Sequence, residues 1–179
     1  MRQLGLLIKN ILWYIIKSEY IWRNFGKMRL YFDICCYSRL YDDQAQVKIY
    51  MESEAVLNII NISKQNNYGI VGSPVLDLEM DQIDNAEKRE KIKYFYHQTI
   101  TEKTYYNENV FNRVKELSEQ TKIRTLDSFH LSFAENYNVD FLLTTDIRFE
   151  KACSKMNLRI KVLNPIKFLM EGMGNDSNN

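Results

Sequence analysis

The chain has 179 residues, of which 45% are hydrophobic and 26% charged, and its formal net charge is +1. This length fits one domain with a sizeable core, and the composition is typical of a soluble globular protein. Three cysteines, two of them adjacent, and two histidines exclude a disulfide framework and a structural zinc site. The cysteine usage and the lack of a convincing signal peptide predict a cytoplasmic protein.

Residues 1–27 differ in character from the rest of the chain. Their apolar run, residues 11–16, is far shorter than the roughly 20 residues that span a bilayer. The five basic residues of the segment are accompanied by one acid, Glu19. We interpret the segment as a basic amphipathic N-terminal extension of a domain that begins at Met28. Binding to an anionic membrane surface or to a partner protein is the alternative interpretation.

The first part of the domain alternates strand and helix patterns. Residues 28–32 predict a strand, and Asp33 follows it directly. Residues 35–46 are polar and predict an irregular segment. Residues 44–64 carry an apolar stripe at helical spacing, formed by Val47, Met51, Ala55, Ile59 and Ile62. Residues 69–72 predict a second short strand.

Three helix starts follow this second strand. Ser73 and Pro74 predict a helix with a capping hydroxyl and proline at the first position, and Glu79 lies within that helix. Asn85 predicts the cap of a second helix. Residues 109–120 predict a third, because their apolar residues recur at helical spacing.

Two acids, Asp127 and Asp146, bound the central stretch DSFHLSFAENYNVDFLLTTD. Its first half predicts a helix with one apolar face, and Asp127 precedes the run as a cap. Residues 139–145 predict a strand buried on both faces, with Asp146 just past its end. As an alternative, Asp127 is only a cap and Asp146 only a turn residue.

The C-terminal part adds a helix at residues 149–156 and a strand at residues 159–163 that ends before Pro165. Residues 172–179 predict a disordered tail. The alternation of strands and helices predicts an α/β, three-layer fold with a central, mainly parallel sheet.

Four acids occupy equivalent places in this scheme: Asp33, Glu79, Asp127 and Asp146. In a parallel sheet they converge at one edge, the edge where such folds bind ligands. Two carboxylates about 4 Å apart repel by roughly 4 kcal/mol at an effective dielectric constant near 20. The cluster therefore needs a counter-ion, and hard oxygen ligands of this number suit Mg²⁺ or Mn²⁺. Such ions activate water and stabilise charge on a phosphoryl oxygen.

Five segments carry a resemblance to a known family: YFDICCYSRLYDD, SPVLDLE, TLDSFHLSFAE, DFLLTTDIRF and VLNPIKFL. From residue 28 to residue 170 the chain resembles PIN-domain proteins, in particular stand-alone bacterial PIN proteins related to the ribonuclease toxins of type II toxin–antitoxin pairs. The resemblance implies a PIN-like nuclease domain over residues 28–171. It also implies a catalytic, metal-binding set of acids, which are Asp33, Glu79, Asp127 and Asp146. Thr144 and Thr145 match the hydroxyl-bearing positions before the last acid. The resemblance implies that they contact the metal ligands rather than the ion itself.

The sequence departs from the family pattern in two places. Ile34 stands where relatives usually have a polar residue, asparagine being common. The helix carrying Glu52 and Glu54 offers a rival to Glu79, so Glu54 either joins or replaces it as a ligand. Its other interpretation is a solvated or ion-paired helix residue.

Arg39 and Arg148 lie in loops beside acids and are candidates to bind a phosphate backbone, with surface ion pairing as the alternative. We interpret His130 as a satisfied core histidine. Cys35 and Cys36 fit small buried groups rather than reactive thiols. The tyrosines can stack on bases, but packing is the favoured interpretation; they are Tyr94, Tyr96, Tyr105 and Tyr106.

The leading hypothesis is a Mg²⁺- or Mn²⁺-dependent endoribonuclease that cleaves single-stranded RNA, with a role as the toxin of a toxin–antitoxin pair. Its partners would be single-stranded RNA, an antitoxin protein and, in a homodimer, a second copy; a membrane is disfavoured. The alternative is a catalytically weak PIN-fold RNA-binding or scaffold protein, membrane-associated through residues 1–27. A metal titration discriminates between the two, because only the enzyme requires the ion.

Overall fold

The computed structural model describes residues 28–174, which form a central sheet flanked by helices. The strands are β1 (Arg29–Phe32), β2 (Gly69–Gly72), β3 (Glu102–Lys103), β4 (Phe141–Leu143) and β5 (Lys161–Leu163). The helices are α1 (Ile34–Arg39), α2 (Val47–Gln65), α3 (Pro74–Asp81), α4 (Ala86–Thr99), α5 (Glu108–Gln120), α6 (Thr125–Asn136), α7 (Ile147–Cys153) and α8 (Pro165–Gly174). Every strand pairing is parallel. The predicted α/β fold is confirmed.

The strand order β3-β2-β1-β4-β5 places β1 at the centre of the sheet. The chain moves outward from β1 to β2 and β3, crosses back to β4 on the other side of β1, and continues to β5. Ligands of open parallel sheets bind at such a reversal, outside the carboxyl ends of the strands. The reversal therefore marks the end of β1 and β4 as the place for a site.

The central strands consist of large apolar residues because helices cover both of their faces. Leu30, Tyr31 and Phe32 in β1 are fully buried, as are Leu142 and Leu143 in β4. A backbone hydrogen bond of 2.9 Å from Asp33 N to Leu143 O extends the pairing by one residue. The residues that follow β1 and β4 are thereby held side by side.

Several local predictions need correction. Residues Ile34–Arg39 form α1 instead of an irregular segment; six residues are too few to show a helical period. The two residues of β3 are both exposed and gave no apolar signal, yet they pair with the open edge of β2. The apolar stripe of α2 starts late, because Val47 and Met51 are 72% and 50% exposed. Of the four tyrosines, Tyr96 is fully buried; the exposed ones are Tyr94, Tyr105 and Tyr106.

Pro165 begins α8 rather than only ending a strand, since proline suits the first helical position. The side-chain oxygen of Asn164 caps this helix by accepting a hydrogen bond of 2.9 Å from Ile166 N. The helix continues to Gly174, past the predicted start of the tail at residue 172, while residues 175–179 and the predicted extension, residues 1–27, lie outside the described residues. Between residues 28 and 174, no helix combines the length and apolar character that crossing a bilayer demands.

Candidate metal centre

Asp33 lies at the centre of the candidate site, directly after β1, and is 7% exposed. Its Oδ2 accepts hydrogen bonds from Thr144 Oγ1 at 2.7 Å and from Cys35 Sγ at 3.1 Å. Thr144 Oγ1 also accepts a hydrogen bond of 3.1 Å from the backbone N of Asp146. The carboxylate of Asp33 is thus held by Thr144 after β4 and by Cys35 in α1. Its Oδ1 lies 3.8 Å from His130 Nε2.

Glu79 on α3 and His130 on α6 approach Asp33 from the neighbouring helices. His130 Nε2 lies 2.8 Å from Glu79 Oε2 and 3.8 Å from Asp33 Oδ1. The three residues each offer one ligand atom, and these atoms all lie within 4.8 Å of one another. Among the side chains of residues 28–171, these three form the cluster of acidic and histidine groups that could hold a metal ion.

The other ring nitrogen of His130 belongs to a buried hydrogen-bond chain. Nδ1 lies 2.7 Å from the hydroxyl of Tyr31, which lies 2.6 Å from Ser73 Oγ. Ser73 precedes α3, but its side chain does not cap that helix as predicted, because its hydroxyl pairs with Tyr31. Burial raises the pKa of Tyr31 well above its ordinary value, so its phenol keeps its proton. The interpretation of His130 as a buried, satisfied residue is accurate, yet its partners include two carboxylates of the site.

Two opposing effects act on the pKa of His130. Burial lowers it, while the hydrogen bond to Glu79 and the negative charges of Asp33 and Glu79 raise it. The net result is a raised pKa, so the acids favour the imidazolium when no other cation neutralises them.

Asp127 and Asp146 form a second pair of acids, bridged by Arg124. The guanidinium donates to both oxygens of Asp127, with Nε–Oδ2 and Nη2–Oδ1 distances of 3.0 and 3.1 Å. The same Nη2 lies 2.8 Å from Asp146 Oδ2. Burial raises the pKa of Asp127, and Arg124 opposes that rise. In this arrangement Arg124 supplies the positive charge that the two carboxylates require.

The structure changes the expected role of Asp127 at the helix start. Arg124 is the N-cap residue of α6, and Asp127 lies within the first helical turn. A carboxylate there still opposes the helix dipole. Asp146 instead is a cap: its Oδ1 accepts hydrogen bonds from Arg148 N at 2.8 Å and Phe149 N at 3.2 Å at the start of α7. Its Oδ2 faces Arg124, so capping occupies only one of its oxygens.

The hydroxyl of Thr145 is a buried polar atom without a partner among the described residues. Thr145 is 3% exposed, and no hydrogen bond satisfies its Oγ1. Its backbone N donates to Cys35 Sγ at 3.1 Å, so Cys35 contacts both Asp33 and the segment after β4. An unsatisfied buried hydroxyl is costly, and beside a cluster of acids it fits a contact to bound water or ligand.

A cleft of about 360 Å³ opens beside the acids. Its lining mixes charges of both signs and includes Lys122, Arg124, Asp127, Asp146, Arg148 and Phe149. Among residues 28–171, the side chains of Lys122 and Arg148 form neither an ion pair nor a hydrogen bond. Both cations therefore remain able to bind an anionic ligand.

Arg39 lies in a different environment from Arg148. Its Nε donates to Glu52 Oε2 at 2.7 Å, and its Nη1 donates to Asp42 Oδ2 at 2.9 Å. Glu52 is fully buried, whereas Glu54, the rival to Glu79, is exposed on α2. The metal-compatible group contains Glu79 and not Glu54. The catalytic, metal-binding and substrate-binding roles of these residues all stay predictions.

Sequence reasoning missed the contributions of three residues to this site: Arg124, Cys35 and His130. Arg124 stands three residues before Asp127, and side chains at this spacing can contact each other along a helix. The spacing could therefore have predicted the ion pair between them. Cys35 carried no signal, because its contact with Asp33 depends on the course of α1. His130 lies in register with the buried face of α6. The sequence pattern therefore predicts an apolar environment for a side chain whose partners are polar.

Solved structures resemble the described fold at low sequence identity. VapBC2 from Rickettsia felis, bound to a DNA fragment from its promoter, has a TM-score of 0.54 and 16% identity, covering 76% of this chain and 98% of that one. VapBC-1 from nontypeable Haemophilus influenzae has a TM-score of 0.52 and 15% identity, and the match covers 77% of this chain and 98% of that one. FitAcB from Neisseria gonorrhoeae has a TM-score of 0.50 and 14% identity, and the match covers 76% of this chain and 97% of that one. At such identities the likeness shows the fold alone, which is PIN-like.

Neither a protein-family model nor a curated protein sequence matches the chain.

Proposed function

We propose that this chain is a metal-dependent endoribonuclease that cleaves single-stranded RNA. The observation that carries the proposal is the convergence of Asp33, Glu79 and His130, whose ligand atoms lie within 4.8 Å of one another. Asp127 interacts electrostatically with Asp33 and His130, and Arg124 joins it to Asp146. Carboxylate oxygens of this number fit Mg²⁺ or Mn²⁺, and the unsatisfied hydroxyl of Thr145 fits a contact to a water in such a site.

A divalent ion bound there supplies a water of lowered pKa and stabilises negative charge on a phosphoryl oxygen. Asp33 and Glu79 would hold the ion, and Thr144 would fix the orientation of Asp33 through its 2.7 Å hydrogen bond. Asp127 and Asp146 would complete the acidic set. Arg124 is 71% exposed at its side chain, so its guanidinium can exchange a carboxylate for a phosphate group of the substrate.

The cleft beside the acids supports a nucleic-acid substrate. Lys122 and Arg148 line it without ion-pair partners in the described part of the chain. Contacts of this kind bind the phosphate backbone and set its register without reading sequence. The resemblance to PIN proteins implies a product with a 5′-phosphate and a 3′-hydroxyl, which requires attack by a water-derived hydroxide rather than by the ribose 2′-hydroxyl.

We further propose that the chain is the toxin of a toxin–antitoxin pair. The likeness of its fold to chains from VapBC and FitAcB assemblies supports an antitoxin protein as a partner. The gene next to this one would test the idea directly. A small neighbouring open reading frame with a DNA-binding pattern is the expected finding.

The enzymatic proposal is tested by incubating the protein with a panel of single-stranded RNAs in Mg²⁺, Mn²⁺ or EDTA. We expect cleavage with either metal and none in EDTA. Asp146→Asn and Glu79→Gln each remove one negative charge and should lower the rate by about 100-fold or more, as for lost electrostatic stabilisation in other enzymes.

Glu54→Gln is the matched control, because Glu54 is an exposed acid of the same type outside the cluster. It should cleave like the wild type. Cleavage that persists in EDTA, or full activity of Asp146→Asn, would contradict the metal mechanism. A protein that binds RNA but neither cleaves it nor responds to Mn²⁺ would fit the alternative, a binding or scaffold protein.

A further inference from the structure

The position of His130 bears on the chemistry of the metal centre. The chain contains two histidines, and His130 is 1% exposed. Its Nε2 is directed at two carboxylates, 2.8 Å from Glu79 Oε2 and 3.8 Å from Asp33 Oδ1. Ligands around an octahedral ion with bonds of about 2.1 Å are roughly 3 Å apart when adjacent and 4.2 Å when opposite. Both distances are compatible with ligand atoms of one ion.

The surroundings of Nδ1 match those of a metal-ligating histidine. Such a histidine usually has its second ring nitrogen hydrogen-bonded, which fixes its tautomer and orientation. Here Nδ1 lies 2.7 Å from Tyr31 Oη, and that oxygen lies 2.6 Å from Ser73 Oγ. The hydroxyl of Tyr31 can accept a hydrogen bond from Nδ1–H and donate one to Ser73 Oγ. With the hydrogen bonds running in this direction Nδ1 keeps its proton, and the ion would take the place of the hydrogen that lies between Nε2 and Glu79 Oε2.

We propose that His130 is a nitrogen ligand of the metal ion and that the centre formed by Asp33, Glu79 and His130 prefers Mn²⁺ to Mg²⁺. The inference rests on the proposed function, because it concerns the same site. Mg²⁺ takes oxygen ligands and keeps its waters, whereas imidazole suits first-row transition ions.

The direct test is pulsed electron paramagnetic resonance of Mn²⁺ bound to the untagged full chain. A nitrogen ligand produces ¹⁴N modulation of the electron spin echo, and labelling the protein with ¹⁵N-histidine should change that signal. His97→Gln is the matched control, since His97 is exposed on α4, and it should leave the modulation unchanged. His130→Gln should abolish it.

Metal affinity provides a second readout that does not depend on activity. Calorimetric titration should give Mn²⁺ a dissociation constant at least about 10-fold below that of Mg²⁺. His130→Gln keeps a donor for Glu79 and offers only an oxygen to an ion. It should weaken Mn²⁺ binding by about 10- to 100-fold, the range caused by losing even outer partners of ligands, and reduce the preference for Mn²⁺.

Tyr31→Phe serves if His130→Gln fails to fold, because it removes only the hydroxyl that orients Nδ1. It should weaken Mn²⁺ binding by about 10-fold while the ¹⁴N modulation persists. Bound Mn²⁺ without nitrogen modulation would overturn the proposal, even if RNA is cleaved. Nitrogen-coupled Mn²⁺ without cleavage would instead overturn the proposed function and leave the ligand assignment standing. Absence of Mn²⁺ binding would overturn both.

Discussion

Arg39 and Arg148 are both predicted to bind a phosphate backbone, but their side chains have different surroundings. Arg39 pairs with Asp42 and with Glu52, whose side chain is fully buried. Arg148 is exposed and lines the cleft beside the acids. The guanidinium of Arg39 is therefore engaged in holding α1 against α2, and that of Arg148 is free to bind a ligand. Substituting each residue separates the two roles.

Arg148→Gln should weaken RNA binding without changing stability. The loss of one phosphate contact reduces the slope of log affinity against log salt concentration by about 0.7 for a single strand. Fluorescence anisotropy with labelled RNA in EDTA, at several salt concentrations, measures this slope. An unchanged slope and affinity would remove Arg148 from the substrate surface.

Arg39→Gln should instead destabilise the fold. The change leaves the carboxylate of Glu52 buried with Asn164, at 2.9 Å, and a more distant Lys48, at 3.6 Å. Removing one partner of a buried ion pair typically costs about 3–5 kcal/mol, and since Arg39 is partly exposed we expect about 2–3 kcal/mol. Urea unfolding measures the difference, with Arg148→Gln as the control. Wild-type stability with weakened RNA binding would show that Arg39 serves the substrate.

At the level of elements, the two glycines that bound β2 make a matched pair. A Cβ at Gly72 would overlap the hydroxyl of the buried Tyr96 on α4, whereas a Cβ at Gly69 would meet the flexible end of Glu102, 2.8 Å away. Close approach between β2 and α4 thus depends on the missing side chain of Gly72. The carboxylate of Glu102 can move into solvent.

Gly72→Ala should destabilise the protein by about 1–3 kcal/mol, the usual cost of overpacking a core, because Tyr96 has no space to retreat. Gly69→Ala should have a smaller effect. Thermal unfolding of both variants measures the difference. Equal melting temperatures for the two would mean that α4 shifts freely against the sheet.

At the scale of the whole molecule, residues 28–171 contain a continuous buried core. It joins residues of the central strands to residues of the covering helices, from Leu30 in β1 to Cys153 in α7 and Ile160 before β5. Whether residues 1–27 form a separate extension stays a prediction.

A chain that begins at Met28 should therefore remain soluble and unfold with nearly the stability of the full chain. The physical reason is that the described residues form one buried hydrophobic core. Urea unfolding of both chains, with the midpoint and slope compared, checks the prediction. Loss of expression, or a large fall in the midpoint, would show that residues 1–27 cover an apolar surface of the domain.

Elements with a strong local pattern were predictable. The strand at residues 69–72 has the predicted bounds, the cap at Asn85 accepts a hydrogen bond from Lys88 N, and α5 begins one residue before its prediction. Short or exposed elements such as α1 and β3 were missed. Their formation depends on neighbouring strands and helices, which a local pattern does not encode.

The sequence by itself determined the alternation of buried strands and amphipathic helices, and hence a parallel sheet with acids after β1 and β4. Those features follow from local periodicity and chain order. Only the tertiary structure decided that His130 faces Glu79, 51 residues earlier in the chain, and that Arg124 bridges Asp127 and Asp146. Such contacts depend on how α3, α6 and the end of β4 pack together. A periodic pattern predicts which face of a helix is buried, but it does not predict which residues of other elements pack against that face.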